Sequence, residues 1–370
     1  MFFSRGMSLE GWRQAGILDR ELALYRALLP GLECLSFVTY GGPADLELAR
    51  THIPEAEVLA NLDGRSPNRY SLSALWTHRD ALRRATIFKT NQINGAWSGV
   101  LAKWLFAKPL VVRCGFLWAD VVARLGTSPL KRRLATMVER WIFRAADRIT
   151  VAAEADRTVI CDRYTIDPRR VRVIPNFVDV DRFRPMPEVD VEPGRVTCVG
   201  RLDDQKNLAA LIESLQGLTG VRLTLIGDGP LRRSFGELAE RLGVSVEFAG
   251  TRPHDELPKW LTRSALFILP SHYEGNPKAL VEAMACGVPV IGTSVPGIRE
   301  ILVHRQNGYV CGTSSAEIRE AVQTMLSDAE LRRVVSVGAV AYVRGCCTLE
   351  MAVASERDVL SQAAQGATRV

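Results

Sequence analysis

The sequence predicts an α/β protein made of two doubly wound parallel-sheet domains. Three observations carry that prediction. The chain has 370 residues, which exceeds one ordinary core at about 150 residues per domain. From residue 195 onward, short β-branched runs alternate with helical periodicity. Between the halves lies PNFVDVDRFRPMPEVDVEPG, rich in Pro and Asp and without periodicity, which reads as a linker.

Composition bounds the class. Hydrophobic residues make up 47% and charged residues 24%, the balance of a globular chain and not of a disordered one. No apolar run approaches the ~18–20 residues of a membrane-spanning helix. The opening MFFSRGMSLEGWRQ lacks the apolar core of a secretory signal. Eight cysteines occur without a CxxC pair or a His–Cys metal spacing, as expected of free thiols in a reducing cytosol. Through residue 185 there are 28 basic and 19 acidic residues, and beyond it 19 and 22. A basic first half fits an anionic partner, a membrane surface or a phosphorylated acceptor, and equally an ordinary solvated surface. The basic residues are not interleaved with aromatic motifs, so nucleic acid is not expected.

Along the first half, CLSFVTY, ATIFKT, PLVVRC, DRITVAA and VRVIP read as strands. The helix LDRELALYRALL places Leu18, Leu22, Tyr25 and Leu29 on one face. A domain of this type opens with a buried strand of five or six residues leading into a glycine turn. Only Met1-Phe-Phe precedes Ser4-Arg-Gly-Met-Ser8, so the first strand is either a stub or begins upstream, the latter being the expectation. The segment SPLKRRLATMVERWIFRAADR sets Leu130, Leu134, Met137, Val138, Trp141 and Ile142 on one helical stripe. That stripe is expected to pack on the sheet, with a face lying on a membrane as the alternative. Asp179-Val-Asp181 in the linker has the form of a metal-binding DxD but is expected to serve as a turn and cap, without metal.

In the second half RVTCVG, VRLTLIG, VSVEFAG, ALFILPS and VPVIGT are the strands, each followed or preceded by a helical run. Such βαβ units form a parallel sheet buried on both faces, with right-handed crossovers. Ligands of these sheets bind at the carboxyl ends of strands. The polar oddities all fall there: Arg201 to Asn207, Asp228-Gly-Pro, Thr251-Arg-Pro, and Glu274 to Lys278.

The phrases VGRLDDQKN, LIGDGPL, FAGTRPHDELPKWL, LPSHYEGNPKALVEAMACGVPVIGTSVPGIREIL and NGYV, in this order and spacing, resemble the C-terminal domain of family 4 glycosyltransferases. The strong resemblance covers roughly residues 171–311, and IPNFVDVDRFRP is similar to the family's lead-in, with Phe177 where glycine is common. The resemblance implies the GT-B fold, two Rossmann-like domains facing a central cleft. It places an acceptor-side domain at residues 1–175, a linker at 176–194, a nucleotide-sugar domain at 195–347, and a final helix at 348–370 that crosses back to the first domain.

The resemblance also implies roles. Glu274 and Glu282 match the paired-glutamate motif: Glu282 accepts hydrogen bonds from the ribose diol, and Glu274 orients the transferred sugar. Gly275, Asn276, Pro277 and Lys278 form a turn into a helix whose free amides favour a phosphate. Pro277 suits a first helical turn. Arg201 and Lys206 match the phosphate-binding pair, which makes a metal-independent transferase the expectation. Thr251 and Arg252 are expected near the base. Gly6-Met-Ser8 resembles the glycine loop facing the donor phosphates, with Ser8 as a helix cap. Gly41-Gly42 is expected to be a turn, with a second phosphate-facing loop as the alternative. Many members carry a histidine where this chain has Arg113-Cys-Gly-Phe116; Arg113 is then a contact to an anionic group or a structural ion pair. Asn91, with Lys89, stands at another strand end as an acceptor-side candidate.

The activity implied is retaining transfer of a sugar from a UDP- or GDP-sugar to a carbohydrate or lipid-linked acceptor, in envelope or exopolysaccharide assembly. The sugar nucleotide is a co-substrate, and no cofactor is expected. The setting is cytoplasmic, with peripheral contact of the basic first domain to an anionic inner membrane face. A catalytically silent sugar-nucleotide binder and a sugar-nucleotide epimerase on the same fold are the alternatives.

Overall fold

The computed structural model describes residues 1–124 and 126–367. The chain divides into two compact units, Met1–Ile174 together with the chain end from Ala352, and Pro175–Met351. No described helix is long and apolar enough to cross a membrane.

The first unit holds β1 (Leu35–Val38), β2 (Ala56–Leu59), β3 (Phe88–Thr90), β4 (Leu110–Cys114), β5 (Arg148–Val151) and β6 (Val171–Val173). All pairings are parallel, β1 with β2 and then β3-β4-β5-β6. Phe2 joins the two sets, bridging Val38 on one side and Thr90 on the other. Its amide donates to Lys89 and its carbonyl accepts from Asn91, while Phe3 donates to Val38. Phe2 and Phe3 are both buried, which holds this opening segment at the sheet centre. β2 was not expected, being only four residues with a half-exposed pattern.

The helix Leu18–Leu28 buries Leu18, Leu22 and Tyr25 as its spacing requires. The helix Pro129–Ala145 departs from expectation. It buries Ala135, Glu139, Ile142 and Phe143, with Val138 and Trp141 half-buried against the core. Leu130, Leu134 and Met137 lie exposed on its outer side. The core-packing expectation fails for these three, because the face on the sheet is the one centred on Glu139, whose carboxylate takes the Tyr164 hydroxyl.

The second unit contains β7 (Glu192–Val199), β8 (Arg222–Ile226), β9 (Val246–Gly250), β10 (Ser264–Leu269), β11 (Val290–Thr293) and β12 (Tyr309–Cys311). The order is β12-β11-β10-β7-β8-β9, all parallel. Numbered within the unit this is 3-2-1-4-5-6, the doubly wound order, whose switch point lies between β7 and β10. Leu266, Phe267, Ile268 and Leu269 are fully buried, as a central strand covered on both faces demands.

Residues 176–194, expected as a linker, pack within this second unit. Val178 forms a bridge with Thr348 and donates to Cys347, and Phe183 is fully buried beside Ala283 and Met284 in one core. Two apolar anchors in a Pro-rich stretch are enough to fix it. Asp179 accepts from the amides of Asp181 and Arg182, so it caps a turn.

The end of the chain, Leu349–Ala367, is helical and supplies Glu356 to the first unit, where its carboxylate meets Lys89 at 2.6 Å. Their side chains are 2% and 7% exposed. Burial pushes the Lys89 ammonium below its usual pKa, and Glu356 opposes that shift. Replacing Lys89 by Met strands a buried carboxylate and is expected to cost about 3–5 kcal/mol. Lys89→Met with Glu356→Leu should recover most of it, as read from urea midpoints.

Candidate active site

The loops that leave β7 and β10 are tied together at the switch point. Gln205 accepts from the His272 amide at its carbonyl and donates from its side chain to the Tyr273 carbonyl at 3.0 Å. Asn207 is held in the left-handed region at φ 51°. Its amide donates to the carbonyls of Pro270 and Thr313, at 3.1 and 2.8 Å. Between these ties, Lys206 Nζ donates to Glu274 Oε1 at 2.6 Å. The same oxygen accepts from Ser271 Oγ at 2.7 Å, and the Ser271 carbonyl is held by Thr293 Oγ1.

The neighbouring strand ends close up through glycine. Gly227 sits at φ +132°, and a Cβ there would stand 2.0 Å from the Gly200 carbonyl oxygen. Leu202 donates to Asp228 and accepts from Leu231, so the Arg201–Asn207 loop is fixed from the β8 side as well. Arg201 itself reaches outward. Its side chain is 72% exposed and its nearest carboxylate is Asp203, at 3.7 Å. The structure therefore brings Lys206 against Glu274, while Arg201 stays at the rim.

Glu282 lies in the helix Lys278–Ala285 and is buried. Its Oε1 is 2.9 Å from His254 Nε2, and the His254 ring rests on Phe183 with centroids 4.9 Å apart. Each glutamate of the pair thus has its own hydrogen-bonding partner, Lys206 for Glu274 and His254 for Glu282, and the lysine's charge offsets part of the repulsion two bare carboxylates would feel. Sequence reasoning missed His254. The only signal was its place in the loop after β9, three residues beyond Thr251. It also missed Ser271, Gln205 and Asn207, whose roles arise from contacts distant in sequence.

The Gly275–Lys278 turn is tied to the lead-in segment by Asn176. Asn276 accepts at Oδ1 from the Asn176 amide and at its carbonyl from Asn176 Nδ2, at 3.1 and 2.6 Å. Asn276 is thereby committed to holding the lead-in segment, which places it as a support of the turn. Pro277 is the N-cap residue and Lys278 the first helical one, one position later than expected. Pro277, having no polar side-chain atom, makes no cap hydrogen bond of its own to this helix start. Nearby, the Arg252 guanidinium lies 4.7 Å from the Trp260 ring centroid, a cation–π contact that fixes its plane. Thr251 is exposed beside it.

In the first unit the other candidates are placed differently. Ser8 caps the helix Leu9–Gln14 as expected, accepting from Gly11. The next two donors, the amides of Leu9 and Glu10, are taken by the buried Asp45 carboxylate at 3.1 and 3.0 Å. The amides of the first three helical residues are thus taken by the protein's own side chains, while those of Gly6 and Ser8 are not involved in these bonds. Gly42 is the residue before the helix Pro43–His52, in keeping with a turn. Asn91 is buried and donates its amide to Phe2. Arg113 lies close enough to Lys89 to add to the depression of its pKa, which puts it beside the buried ion pair.

Gly297, at the start of the short helix Pro296–Arg299, approaches this turn from β11. A Cβ there would fall 1.8 Å from the Gly275 oxygen and 2.4 Å from that of Glu274. Gly297→Ala is expected to push the turn aside at a cost of about 1–3 kcal/mol, and to weaken any ligand that the turn binds. Thermal unfolding of the variant, with and without nucleoside diphosphate, checks both effects.

Two family models tile the chain: Glycosyltransferase Family 4 over residues 35–182, and Glycosyl transferases group 1 over residues 179–339. A 2-deoxystreptamine N-acetyl-D-glucosaminyltransferase from Streptomyces fradiae is 28% identical over 64% of this chain and 61% of its own length. A GDP-mannose-dependent alpha-(1-6)-phosphatidylinositol monomannoside mannosyltransferase from Mycobacterium tuberculosis is 32% identical over 56% of this chain and 59% of its own. The chain spans about three fifths of the length of these curated relatives. Among solved structures, Anabaena Alr3699/HepE in complex with UDP superposes with a TM-score of 0.79 at 20% identity, covering 98% of this chain and 99% of that one. With both halves matched and the strand order that the fold requires, the chain belongs to the family 4 glycosyltransferases and has the GT-B fold.

Proposed function

We propose that the protein transfers a glycosyl group from a nucleoside-diphosphate sugar to a carbohydrate or lipid-linked acceptor, with retention. The observation that carries this reading is the cluster at the β7–β10 switch point: Lys206 on Glu274, the start of the helix Lys278–Ala285 just beyond it, and Glu282 inside that helix. A UDP-bearing structural neighbour and a relative named for GDP-mannose support a diphosphate donor. The diphosphate lies against the start of that helix, with Lys206 and the rim guanidinium of Arg201 as its cations. As the glycosidic bond breaks, negative charge grows on the leaving phosphate, and these fixed donors stabilise it without a metal. Glu282, steadied by His254, accepts from the ribose hydroxyls, and Glu274 orients the sugar hydroxyls. Arg252 and Thr251 border the base.

The family likeness supports retention. The acceptor attacks the face that the diphosphate leaves, and the departing phosphate oxygen takes its proton. The reaction serves envelope or exopolysaccharide assembly in the cytoplasm, at the inner face of the membrane. The relative named for phosphatidylinositol monomannoside supports a lipid-linked acceptor.

Unfolding in the presence of UDP, GDP, ADP and CDP tests the donor site. The cognate diphosphate at about 100 times its Kd should add ~2.7 kcal/mol, and no response to any of them overturns the reading. Release of diphosphate from a sugar-nucleotide panel then separates an enzyme from a silent binder. Glu282→Ala and Lys206→Ala should each lower that release by about 10²–10³-fold. Lys206→Ala should also lower Tm, since Glu274, nearly buried, loses its cation.

A further inference from the structure

We propose that the outer face of the helix Pro129–Ala145, with the neighbouring Trp104–Leu105 edge, docks the protein on a lipid surface bearing anionic headgroups. This deepens the membrane part of the function proposed above and is independent of its donor chemistry.

The helix is capped by Ser128, whose Oγ accepts from the Lys131 amide. Its inner face is Ala135, Glu139, Ile142 and Phe143. At about 100° per residue, Leu130, Leu134, Met137 and Trp141 fall on the opposite side. Leu130, Leu134 and Met137 are 77, 57 and 61% exposed. Trp141 meets Trp104 edge to face at 5.6 Å, which carries the apolar surface onto the helix Ala96–Phe106. Trp104 and Leu105 are exposed there too, at 58 and 52%.

Charge borders this stripe. The helix has five basic residues, Lys131, Arg132, Arg133, Arg140 and Arg144, and one acidic residue, Glu139. Glu139 is turned inward to the Tyr164 hydroxyl and the Ala119 amide. None of the five basic side chains is in an ion pair among the described residues. Arg132, Arg133 and Arg140 line a surface cleft of about 590 Å³ together with Met137. Guanidinium groups beside an apolar ridge match a phosphate headgroup beside its acyl chain. Exposed Leu and Met flanked by Arg and Lys, with paired Trp rings at the margin, is how a helix lies in a membrane interface.

A second copy of the chain is the poorer occupant. A two-fold interface would set this patch against itself, and five cations would face five like charges. An anionic bilayer supplies both the apolar medium and the counter-charge.

Cosedimentation with vesicles tests the surface. The protein should pellet with phosphatidylcholine–phosphatidylglycerol vesicles, and stay in solution with phosphatidylcholine alone. A triple variant, Leu130→Ser, Leu134→Ser and Met137→Ser, and a double variant, Arg132→Glu and Arg133→Glu, should each bind at least about tenfold more weakly, or ~1.4 kcal/mol. Their circular dichroism should match that of the parent. The double variant decides alone should the triple one fail to fold, because both arginines are exposed. The proposal is overturned if the parent stays in solution with both vesicle types, or if a folded variant pellets like the parent. It is equally overturned if the parent is a dimer that the triple variant dissolves while vesicles capture neither. Pelleting without any thermal response to nucleoside diphosphates sinks the donor reading and leaves this surface standing; the reverse result sinks only the surface.

Discussion

The site depends on one constraint, the fastening of the loop after β7 to the loop after β10. The two strands are neighbours in the sheet, yet their helices leave to opposite faces at a switch point, which opens a gap between the loops. Gln205 and Asn207 span that gap with backbone-directed hydrogen bonds, and Lys206 between them has little freedom except toward Glu274. An amide side chain buried with its hydrogens satisfied is hard to displace, because the alternative is an unpaired polar group in a dry environment. The ion pair is therefore positioned by two uncharged residues, and its geometry is an outcome of the backbone on both sides.

Legibility in the sequence followed burial. β7, β8 and β10 are buried strands with β-branched or aliphatic runs, and RVTCVG, VRLTLIG and ALFILPS mark them clearly. β2, with one buried residue in four, and the Phe2 bridge carry no such run. Their pairing is decided by neighbours a chain reading does not see. The helix Pro129–Ala145 was misjudged for a related reason. A stripe of Leu130, Leu134 and Met137 has the same spacing whether it faces a sheet or the outside. Only the depth of Ala135, Glu139 and Phe143 shows which face is inward. A buried Glu among the inward residues made the true face look polar.

The candidate site shows the same split. Glu274 and Lys206 stood out as charges at the carboxyl ends of apolar strands, where a sheet edge gathers ligands, and Glu282 through its resemblance to the paired-glutamate motif. His254 did not, because its partnership with Glu282 spans 28 residues and its support, Phe183, lies in the stretch that reads as a linker. Asp45 on the amides of Leu9 and Glu10 is a further case. A glycine-containing turn before a helix announces an anion site, but it does not announce that the protein's own carboxylate is the anion. Local sequence shows which groups want a partner, and the distant chain decides who the partner is.

On the proposed function, the Lys206–Glu274 pair also shapes which ligand the site prefers. At rest each charge is compensated by the other, with both side chains largely out of water. A diphosphate that draws Lys206 away leaves Glu274, among the described residues, with the Ser271 hydroxyl as its remaining hydrogen-bond donor. A nearly buried carboxylate is then undercompensated, which opposes binding. A sugar attached to the diphosphate reverses this, since its hydroxyls donate to the carboxylate that Lys206 gave up. The intact donor therefore gains where the bare diphosphate loses, and the difference appears after transfer, when the sugar has gone and Glu274 again competes for the lysine. An ion pair at rest thus favours entry of the full donor and departure of the leaving group, with no moving part beyond one side chain.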